Sequence, residues 1–426
     1  MSELGLFVIG AFVVLALLRV PVFIALLAPS SLYVFMTGRP VLFPTIRMVR
    51  TLDSFTLLAI PLFIYVGSLM NHGEITEKIF DFADSIVGHV TGGLAQVNIV
   101  TSLIFSGLSG SALADIGGIG RVLIESMEDA GYESDYAAAL TSASATIGPI
   151  FPPSVPLILF GIIAEVSVLR LLLAGAVPAL VATLSLMLGT AILAKRRGFP
   201  GGGARAALGT MLSSFLVALP AVLAPVLLIY GMLGGYFSPT EAAGVTVLYI
   251  LVINAAVYRI LDIGYIWKAA KETAETSGTV VIILAGAALF SFVMSVEQID
   301  TLFANALFSV SENRIIVLLM VNVVLLFIGL FLDPIAALVM MTPIVFPTLV
   351  EVGVDPVHIG VIMVFNLMLG LLTPPLGLSV YLSSDIAETS VASVFDEVQP
   401  YWLFLAGALV VITYFPPLSL AILDFV

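Results

Sequence analysis

The sequence predicts an all-α polytopic membrane protein of two inverted-topology repeats, each with about five spans plus a re-entrant hairpin and a broken helix. Three observations carry this. Hydrophobic residues fill 60% of 426 positions and charged residues 10%, at a mean hydropathy of +1.19, more apolar surface than a soluble fold could hide. An unusual passage occurs twice: Gly107–Leu157, with Gly148-Pro-Ile-Phe-Pro-Pro153 near its end, and Gly329–Ser379, with Gly370-Leu-Leu-Thr-Pro-Pro375 near its end. Two apolar runs, 90–128 and 313–352, are too long for one crossing and carry small residues, glycine or proline at their centres.

A shift of 222 positions lays the first passage on the second without a gap. Gly107, Leu108, Ala114, Gly131, Gly148, Pro152 and Pro153 fall on Gly329, Leu330, Ala336, Gly353, Gly370, Pro374 and Pro375. Seven matches in 51 positions is little above chance for so apolar a composition. The weight rests on paired prolines after a glycine, which are rare at membrane depth. Proline-broken hydrophobic segments in corresponding places point to a transporter's binding site.

The elements follow in order from the apolar runs, since about 20 residues cross the hydrocarbon layer. In the first half, 1–195, spans are expected at 4–18, 22–36, 54–71, 133–165 (broken) and 168–194. The stretch 4–36 also reads as one long helix bent at Pro21 and Pro29, and Leu4 onward lacks the basic leader and cleavage site of a signal peptide. A basic, glycine-rich linker covers 196–212. In the second half, 213–426, spans are expected at 213–232, 240–260, 276–295, 356–385 (broken) and 394–423. The long runs 90–128 and 313–352 read as hairpins. Each follows an amphipathic stretch, Glu74–Ile86 or Ile299–Val310, suited to an arm on the membrane surface.

Five crossings plus one hairpin per half is an odd number, so the halves should have opposite orientation. With the N-terminus outside, Arg19, Lys78, Arg121, Lys195, Arg196, Arg197, Arg205, Arg259, Lys268 and Lys271 face the cytoplasm. Arg39, Arg47, Arg50, Arg170 and Arg314 face out; ten against five favours that orientation, although the Arg39–Arg50 loop opposes it. The absence of cysteine removes disulfides, thiolate catalysis and cysteine metal sites, and three histidines (His72, His89, His358) make a histidine metal cluster unexpected. A net charge of −13 argues against nucleic acid and against anionic lipid as main partners. No phosphate-cradling Gly-x-x-x-x-Gly-Lys-Ser/Thr motif is present, and no cofactor is expected.

Pro149, Pro152, Pro153 and Pro156 cannot all lie in one continuous helix, nor can Pro374 and Pro375 sit there undisturbed. Each passage should break into two half-helices. The unwound link exposes carbonyls able to hold a hard cation such as sodium, while half-helix N-termini favour an anionic solute. Small oxygen-bearing residues flank the breaks: Ser106, Ser109, Ser111 and Asp115 in hairpin one, with Thr141, Ser142, Ser144 and Thr146 beside it. Asp333 and Thr342 lie in hairpin two, with Asn366, Thr373 and Ser379 beside it. Singly, such residues more often bond the preceding turn or let helices pack closely; two clusters in symmetric positions reverse that balance. A carboxylate at membrane depth is costly and usually functional. Asp333, at the expected tip of hairpin two, is the better candidate, although it also suits an N-cap with Pro334 at the first helical position. Asp115 has only Arg121, six residues on, as a basic neighbour in sequence. Glu165 falls at a span's outer end, a solvated position.

These same residues resemble the large membrane subunit of the tripartite ATP-independent periplasmic (TRAP) transporters. The first-half signature is carried by Ala130-Gly-Tyr132 and Ala137-Ala-Ala-Leu-Thr-Ser-Ala-Ser-Ala-Thr-Ile-Gly-Pro-Ile-Phe-Pro-Pro-Ser-Val-Pro156. The second is carried by Asp333, Thr342-Pro-Ile344, Asp355-Pro-Val-His-Ile-Gly360 and Asn366-Leu-Met-Leu-Gly-Leu-Leu-Thr-Pro-Pro-Leu-Gly377. Phe237-Ser-Pro-Thr-Glu-Ala-Ala243 and Thr413-Tyr-Phe-Pro416 extend the likeness over essentially the whole chain. Glu125 and Ser126 stand where the family would have a proline, and Pro334 follows Asp333.

The resemblance implies an elevator-type, sodium-driven importer of organic acids in a bacterial inner membrane. It implies two partners, a small four-helix membrane subunit on a separate chain and a periplasmic substrate-binding protein. It places sodium at Ser109, Ser111, Ser142, Thr146 and Gly148, and at Asp333, Thr342, Asn366, Gly370 and Thr373. It places the solute at Ser109, Gly110, Ser111, Ser144, Pro152 and Pro153, and at Asn366, Pro374 and Pro375. Two other readings compete. A self-sufficient sodium- or proton-coupled carboxylate carrier would share the architecture, and only the motifs separate it. An intramembrane serine protease would use Gly107-Leu-Ser-Gly110 with His358 as base, but leaves the second repeat unexplained.

Overall fold

The computed structural model describes residues 3–18, 20–71, 73–199 and 203–425, so Arg19 and His72 lie outside the described residues. Helices and turns make up the chain, with no strand among the described residues. The first half runs α1 (Glu3–Leu17), α2 (Val22–Met36), α3 (Phe43–Leu52), α4 (Ala59–Met70), α5 (Gly73–Val87) and α6 (Leu94–Ser109). It continues through α7 (Ala112–Asp115), a π-helical turn at Ile116–Gly120, α8 (Arg121–Asp129), α9 (Ser134–Ala145), α10 (Val155–Ile163) and α11 (Val168–Arg197). The second half runs α12 (Leu208–Leu233), α13 (Pro239–Ala256), α14 (Ile263–Val296), α15 (Ile299–Phe308) and α16 (Arg314–Gly329). Then come α17 (Pro334–Glu351), α18 (Pro356–Gly370), α19 (Leu378–Ile386), α20 (Val391–Tyr414) and α21 (Pro417–Leu420).

Six of these helices (α11, α12, α13, α14, α17 and α20) are long and apolar enough to cross a membrane. Two bent pairs join them: α3 with Phe55–Met70, at 62°, and α6 with Ala112–Asp129, at 119°. The second bend turns hairpin one back towards the side it entered. The two halves share their order of elements. α9 and α18 start 222 residues apart, α11 and α20 223, and α6 and α16 220. This chain is a multi-pass membrane protein built on a repeat.

Local chemistry sets the boundaries. Asp355 caps α18 by accepting the Val357 N–H at 2.8 Å, with Pro356 at the first helical position, where its missing N–H costs nothing. Ser238 and Glu241 form a reciprocal capping box on α13, again with proline at the start. Gly110 ends α6 in the left-handed conformation (φ 63°) that glycine adopts without steric cost.

Several expectations change in detail. Pro21 does separate α1 from α2, but Pro29 sits inside α2 without ending it. α14 starts at Ile263, where the hydropathy pattern placed a span only from 276. Asp262 caps it through the Tyr265 N–H at 2.7 Å, and its charged first turns carry i,i+4 pairs, Lys268–Glu272 and Lys271–Glu275, both at 3.9 Å. α3 was not expected at all. The last span stops at Tyr414 because Pro416 and Pro417 follow. α11 runs to Arg197, so the basic cluster Lys195–Arg197 is the helix's last turn, where cations meet the negative end of its dipole.

Packing follows from the membrane setting. Lipid tails are as apolar as leucine, so burying leucine within the protein gains little by transfer, and cohesion comes from close contact and interhelical hydrogen bonds. Small residues therefore mark the crossings. A methyl on Gly175 of α11 would lie within 2.3 Å of the Ile150 carbonyl oxygen in the first break. One on Gly360 of α18 would lie 2.6 Å from Phe160 of α10 and Leu171 of α11. The broken helices of the two halves cross at the centre, α9 against α19 and α10 against α18, with α11 and α20 behind them. α14 packs on α2, α3, α4 and α17.

Candidate functional site

Both passages break where the prolines required. Residues 146–154 separate α9 from α10, and 371–377 separate α18 from α19. The Pro152–Pro153 and Pro374–Pro375 bonds are both cis. Ser154 restarts the chain as a cap, its hydroxyl donating to the Pro149 carbonyl and accepting from the Leu157 N–H at 3.1 Å.

Each hairpin is tied to its own broken helix by a buried amide. In the first half Ser144 donates to Asn98 Oδ1 of α6 at 2.8 Å and shares a bond with Ser102 at 2.9 Å, while Asn98 Nδ2 reaches Thr141 at 2.8 Å. The position 222 residues on is Asn366. Its Nδ2 donates to the backbone carbonyl of Asn322 in α16 at 3.0 Å and to that residue's Oδ1 at 2.7 Å. Asn366 Oδ1 is wholly buried and has no partner, an orphan acceptor of the kind that a cation or a water satisfies. A third link joins the halves: Ser142 of α9 shares a bond with Ser383 of α19 at 2.5 Å and donates to the Ser379 carbonyl at 3.1 Å. These hydroxyls keep acceptor lone pairs after donating.

Asp115 lies at the start of the returning limb of hairpin one, just past its tip, 1% exposed. The Ser109 hydroxyl donates to its Oδ1, and the Ser106 hydroxyl, bonded to the Ser102 carbonyl, lies 3.4 Å from its Oδ2. A methyl on Gly148 would sit 2.6 Å from that same Oδ2, so the carboxylate presses against the unwound backbone of the first break. Arg121 does not reach it and pairs instead with Glu125 at 3.7 Å. Sequence reasoning ranked Asp115 below Asp333; three-dimensional proximity to Ser109 and Gly148 is what raises it. Asp333 caps α17, its Oδ1 accepting from Ile335 N at 2.9 Å and Ala336 N at 3.3 Å, and leaves Oδ2 outside those bonds.

The two tips and the two breaks meet in one cleft. Its walls hold Gly110 and Ser111 from tip one, Asp333 and Pro334 from tip two, Pro149 from the first break, Pro156 from the start of α10, and Leu371 from the second break. α14 closes the opposite side with Thr276 and Val280. The cleft's cavity volume is about 70 Å³, room for a few waters. Among the described residues, no lysine or arginine lines it. Thr276 escaped the sequence reading; its only signal is the polar run Glu272–Thr279 ahead of the apolar second half of α14.

Other expected positions stand elsewhere. Pro152 and Pro153 are buried and not in the lining, although the Pro153 carbonyl packs against Gly110 of tip one; Pro374 and Pro375 are exposed outside the cleft's lining. Thr342 lies nine residues along α17 from Asp333, about 13 Å at the helical rise, and bonds the Leu338 carbonyl at 2.6 Å. It faces a separate crevice with Glu165, which is exposed, and Asp300. Thr146 bonds the Ala143 carbonyl at 2.6 Å. Thr373 donates to Leu369 and accepts from the Trp402 indole at 3.0 Å. Gly370 crosses Gly329 so closely that a methyl on it would lie 2.5 Å from the Gly329 oxygen. His358 is fully buried at the far end of α18, its Nε2 3.3 Å from the Thr413 carbonyl, thirteen residues before the second break begins. That partnering gives Ser109 a carboxylate neighbour and no histidine.

Comparison with known proteins identifies the family. The family model described as tripartite ATP-independent periplasmic transporter, DctM component, matches residues 9–418. The chain is 41% identical over 377 residues to the sialic acid TRAP transporter large permease protein of Vibrio cholerae, covering 88% of this chain and 87% of that one. It is 34% identical over 377 residues to the C4-dicarboxylate TRAP transporter large permease protein of Pseudomonas aeruginosa, covering 88% of each. Among solved structures, the Alcanivorax borkumensis YdaH transporter, described as having an unusual topology, matches with a TM-score of 0.62 at 16% identity over 86% of each chain, a likeness of fold alone. The chain belongs to the tripartite ATP-independent periplasmic transporter family, as a large permease of its DctM component.

Proposed function

We propose that this chain is the permease of a sodium-coupled importer that moves a carboxylate-bearing organic acid across a bacterial inner membrane. The observation that carries the reading is the shared cleft, where both hairpin tips and both breaks face α14. Its electrostatics give sodium a reason. Asp333 lines the cleft, Asp115 lies behind tip one, and among the described residues no basic side chain lines the cleft to balance an anionic solute. Sodium held by the two carboxylate clusters would turn the local potential favourable and draw the solute carboxylate towards the hairpin-tip donors. The sodium set would be Asp115, Ser109, Ser111, Ser142, Thr146 and Gly148 in one half, and Asp333, Asn366 and Gly370 in the other. Thr342 and Thr373 fit less well, for the reasons of place and partner given above.

In this reading the hairpins and broken helices travel as a block past a scaffold that includes α2, α4 and α14. The buried links Ser144–Asn98, Asn366–Asn322 and Ser142–Ser383 hold such a block together. The N-terminus would lie on the periplasmic side. A small membrane subunit and a periplasmic binding protein would complete the transporter, the binding protein delivering the solute. The relatives named for sialic acid and for a C4-dicarboxylate support an organic anion as cargo. The Ser109–Asp115 pairing supports transport over hydrolysis, because it offers the serine no general base of histidine type.

The test is uptake of labelled organic acids into proteoliposomes under an imposed sodium gradient, with and without the two partners. Uptake that needs inward sodium and both partners is the expected result. Robust uptake by this chain alone would replace the tripartite reading with that of a self-sufficient carrier.

A further inference from the structure

Arg39, Arg47 and Arg50 run against the charge pattern that orients the rest of the chain, and α3 explains what holds two of them. Phe43 of α3 and Phe292 of α14 meet with centroids 4.8 Å apart and ring planes tilted by 56°. The Arg39 guanidinium lies 5.2 Å from the Phe43 centroid and 4.7 Å from that of Phe292. The Arg47 guanidinium lies 5.9 and 4.9 Å from the same two rings. The two guanidinium carbons are therefore less than 10 Å apart, since each is within 5 Å of the Phe292 centroid. None of the ion pairs among the described residues involves Arg39, Arg47 or Arg50. Stacking occupies a guanidinium face and leaves the N–H edge free to meet a phosphate.

The helix beside them is built for a hydrocarbon boundary. Leu42, Ile46 and Val49 recur at helical spacing and are 67%, 49% and 60% exposed, with Val41 at 74%. The second half has no such face, because its corresponding stretch, 265–274, continues straight within α14. In the first half the chain breaks at Asp53 and Ser54 and sets α3 off from Phe55–Met70 by 62°. If the longer limb crosses the membrane, α3 lies close to its surface.

We propose that Arg39 and Arg47, stacked on Phe43 and Phe292, clamp the phosphate of an anionic phospholipid whose acyl chains cover Leu42, Ile46 and Val49. The adjoining large aliphatic side chains favour a lipid over a free phosphate ion, which has no use for them. Because Phe292 belongs to α14, which also supplies Thr276 to the cleft, a lipid held there braces one wall of the cleft. The chain's overall negative charge makes such a site local: bulk anionic lipid is repelled and one headgroup is bound.

The experiment is native mass spectrometry of the full-length detergent-purified protein titrated with phosphatidylglycerol, phosphatidylcholine or inorganic phosphate, on the parent chain, R39Q/R47Q and R39K/R47K. The parent should bind one phosphatidylglycerol selectively. R39Q/R47Q should lose roughly thirtyfold in affinity, the value of two basic contacts at a lipid surface, with unchanged helix content by circular dichroism. R39K/R47K should fall between, keeping charge but losing the stacked fork. Equal phosphatidylglycerol binding by the parent and R39Q/R47Q would overturn the proposal. Inorganic phosphate that displaces the lipid at equal concentration would reassign the site to a free anion. Loss of small-subunit binding with lipid binding intact would make the face a protein interface.

Discussion

The Gly329–Gly370 crossing makes an asymmetric demand that a pair of alanine substitutions exposes. A Cβ on Gly370 would lie 2.5 Å from the Gly329 oxygen and 2.8 Å from its carbonyl and α carbons. Ordinary carbon contacts sit at about 3.5–4.0 Å, so α16 would have to retreat by roughly 1 Å, and backbone cannot rotate away as a side chain can. Overpacking of this kind costs about 1–3 kcal/mol. A Cβ on Gly329 meets Gly370 Cα at 3.3 Å, a deficit of a few tenths of an ångström that a slight shift absorbs, at about 1 kcal/mol or less. Gly370→Ala should therefore lower the unfolding midpoint of the purified protein clearly, and Gly329→Ala little, although the two residues face each other. Because α16 leads into the tip at Asp333, G370A should also cut uptake in proteoliposomes more than G329A. Equal effects of the two substitutions, in either assay, would refute the backbone-contact reasoning.

Other residues make separate demands. Asp115→Asn keeps the shape of the hairpin-one junction but removes its charge; the apparent sodium affinity of uptake should fall about ten- to a hundredfold, and an unchanged sodium titration would take Asp115 out of the site. Asp333→Asn preserves the cap on α17 and should leave stability within about 0.5 kcal/mol while reducing sodium-driven uptake. Asp333→Ala should in addition cost about 0.5–2 kcal/mol, and full uptake by D333N would leave Asp333 a cap only. A double-mutant cycle of Asn322→Ala and Asn366→Ala should give a coupling of about 0.6–1.7 kcal/mol by equilibrium unfolding, and additivity would dissolve the claimed link. Arg197→Gln breaks a 2.6 Å pair with Glu397, partly open to solvent, and should change stability by about 1 kcal/mol or less.

Much of the frame was legible because apolar length and proline act locally. The double prolines located both breaks to within a few residues, and the 222-residue shift carried over to the helices themselves. What escaped was set by partners distant in sequence. α3 and the start of α14 are polar enough to fall below a hydropathy threshold, yet Asp262 and neighbouring ion pairs keep the chain helical. Asn98, Asn322 and Ser383 became visible only when folding brought them to Ser144, Asn366 and Ser142. Thr342 and the outer prolines looked equivalent to the tip residues in a linear reading, because distance along a helix does not tell which crevice a side chain enters.

One difference between the halves bears on how the molecule can change state. An inverted repeat generates its opposite state when each half takes on the other's conformation, so only segments that can exchange shapes are free to take part. The hairpins and broken helices qualify, having counterparts of similar length and the same order. The pair α3–α4 and the continuous helix α14 do not. To trade places, α14 would have to open its hydrogen-bond ladder near the positions matching Asp53 and Ser54, while the bent pair straightened through residues that now lie apart from it. Under the proposed transport cycle, broken pseudo-symmetry would separate what is exempt from the exchange from what performs it, and a comparison of the two repeats draws that line before any second conformation is seen.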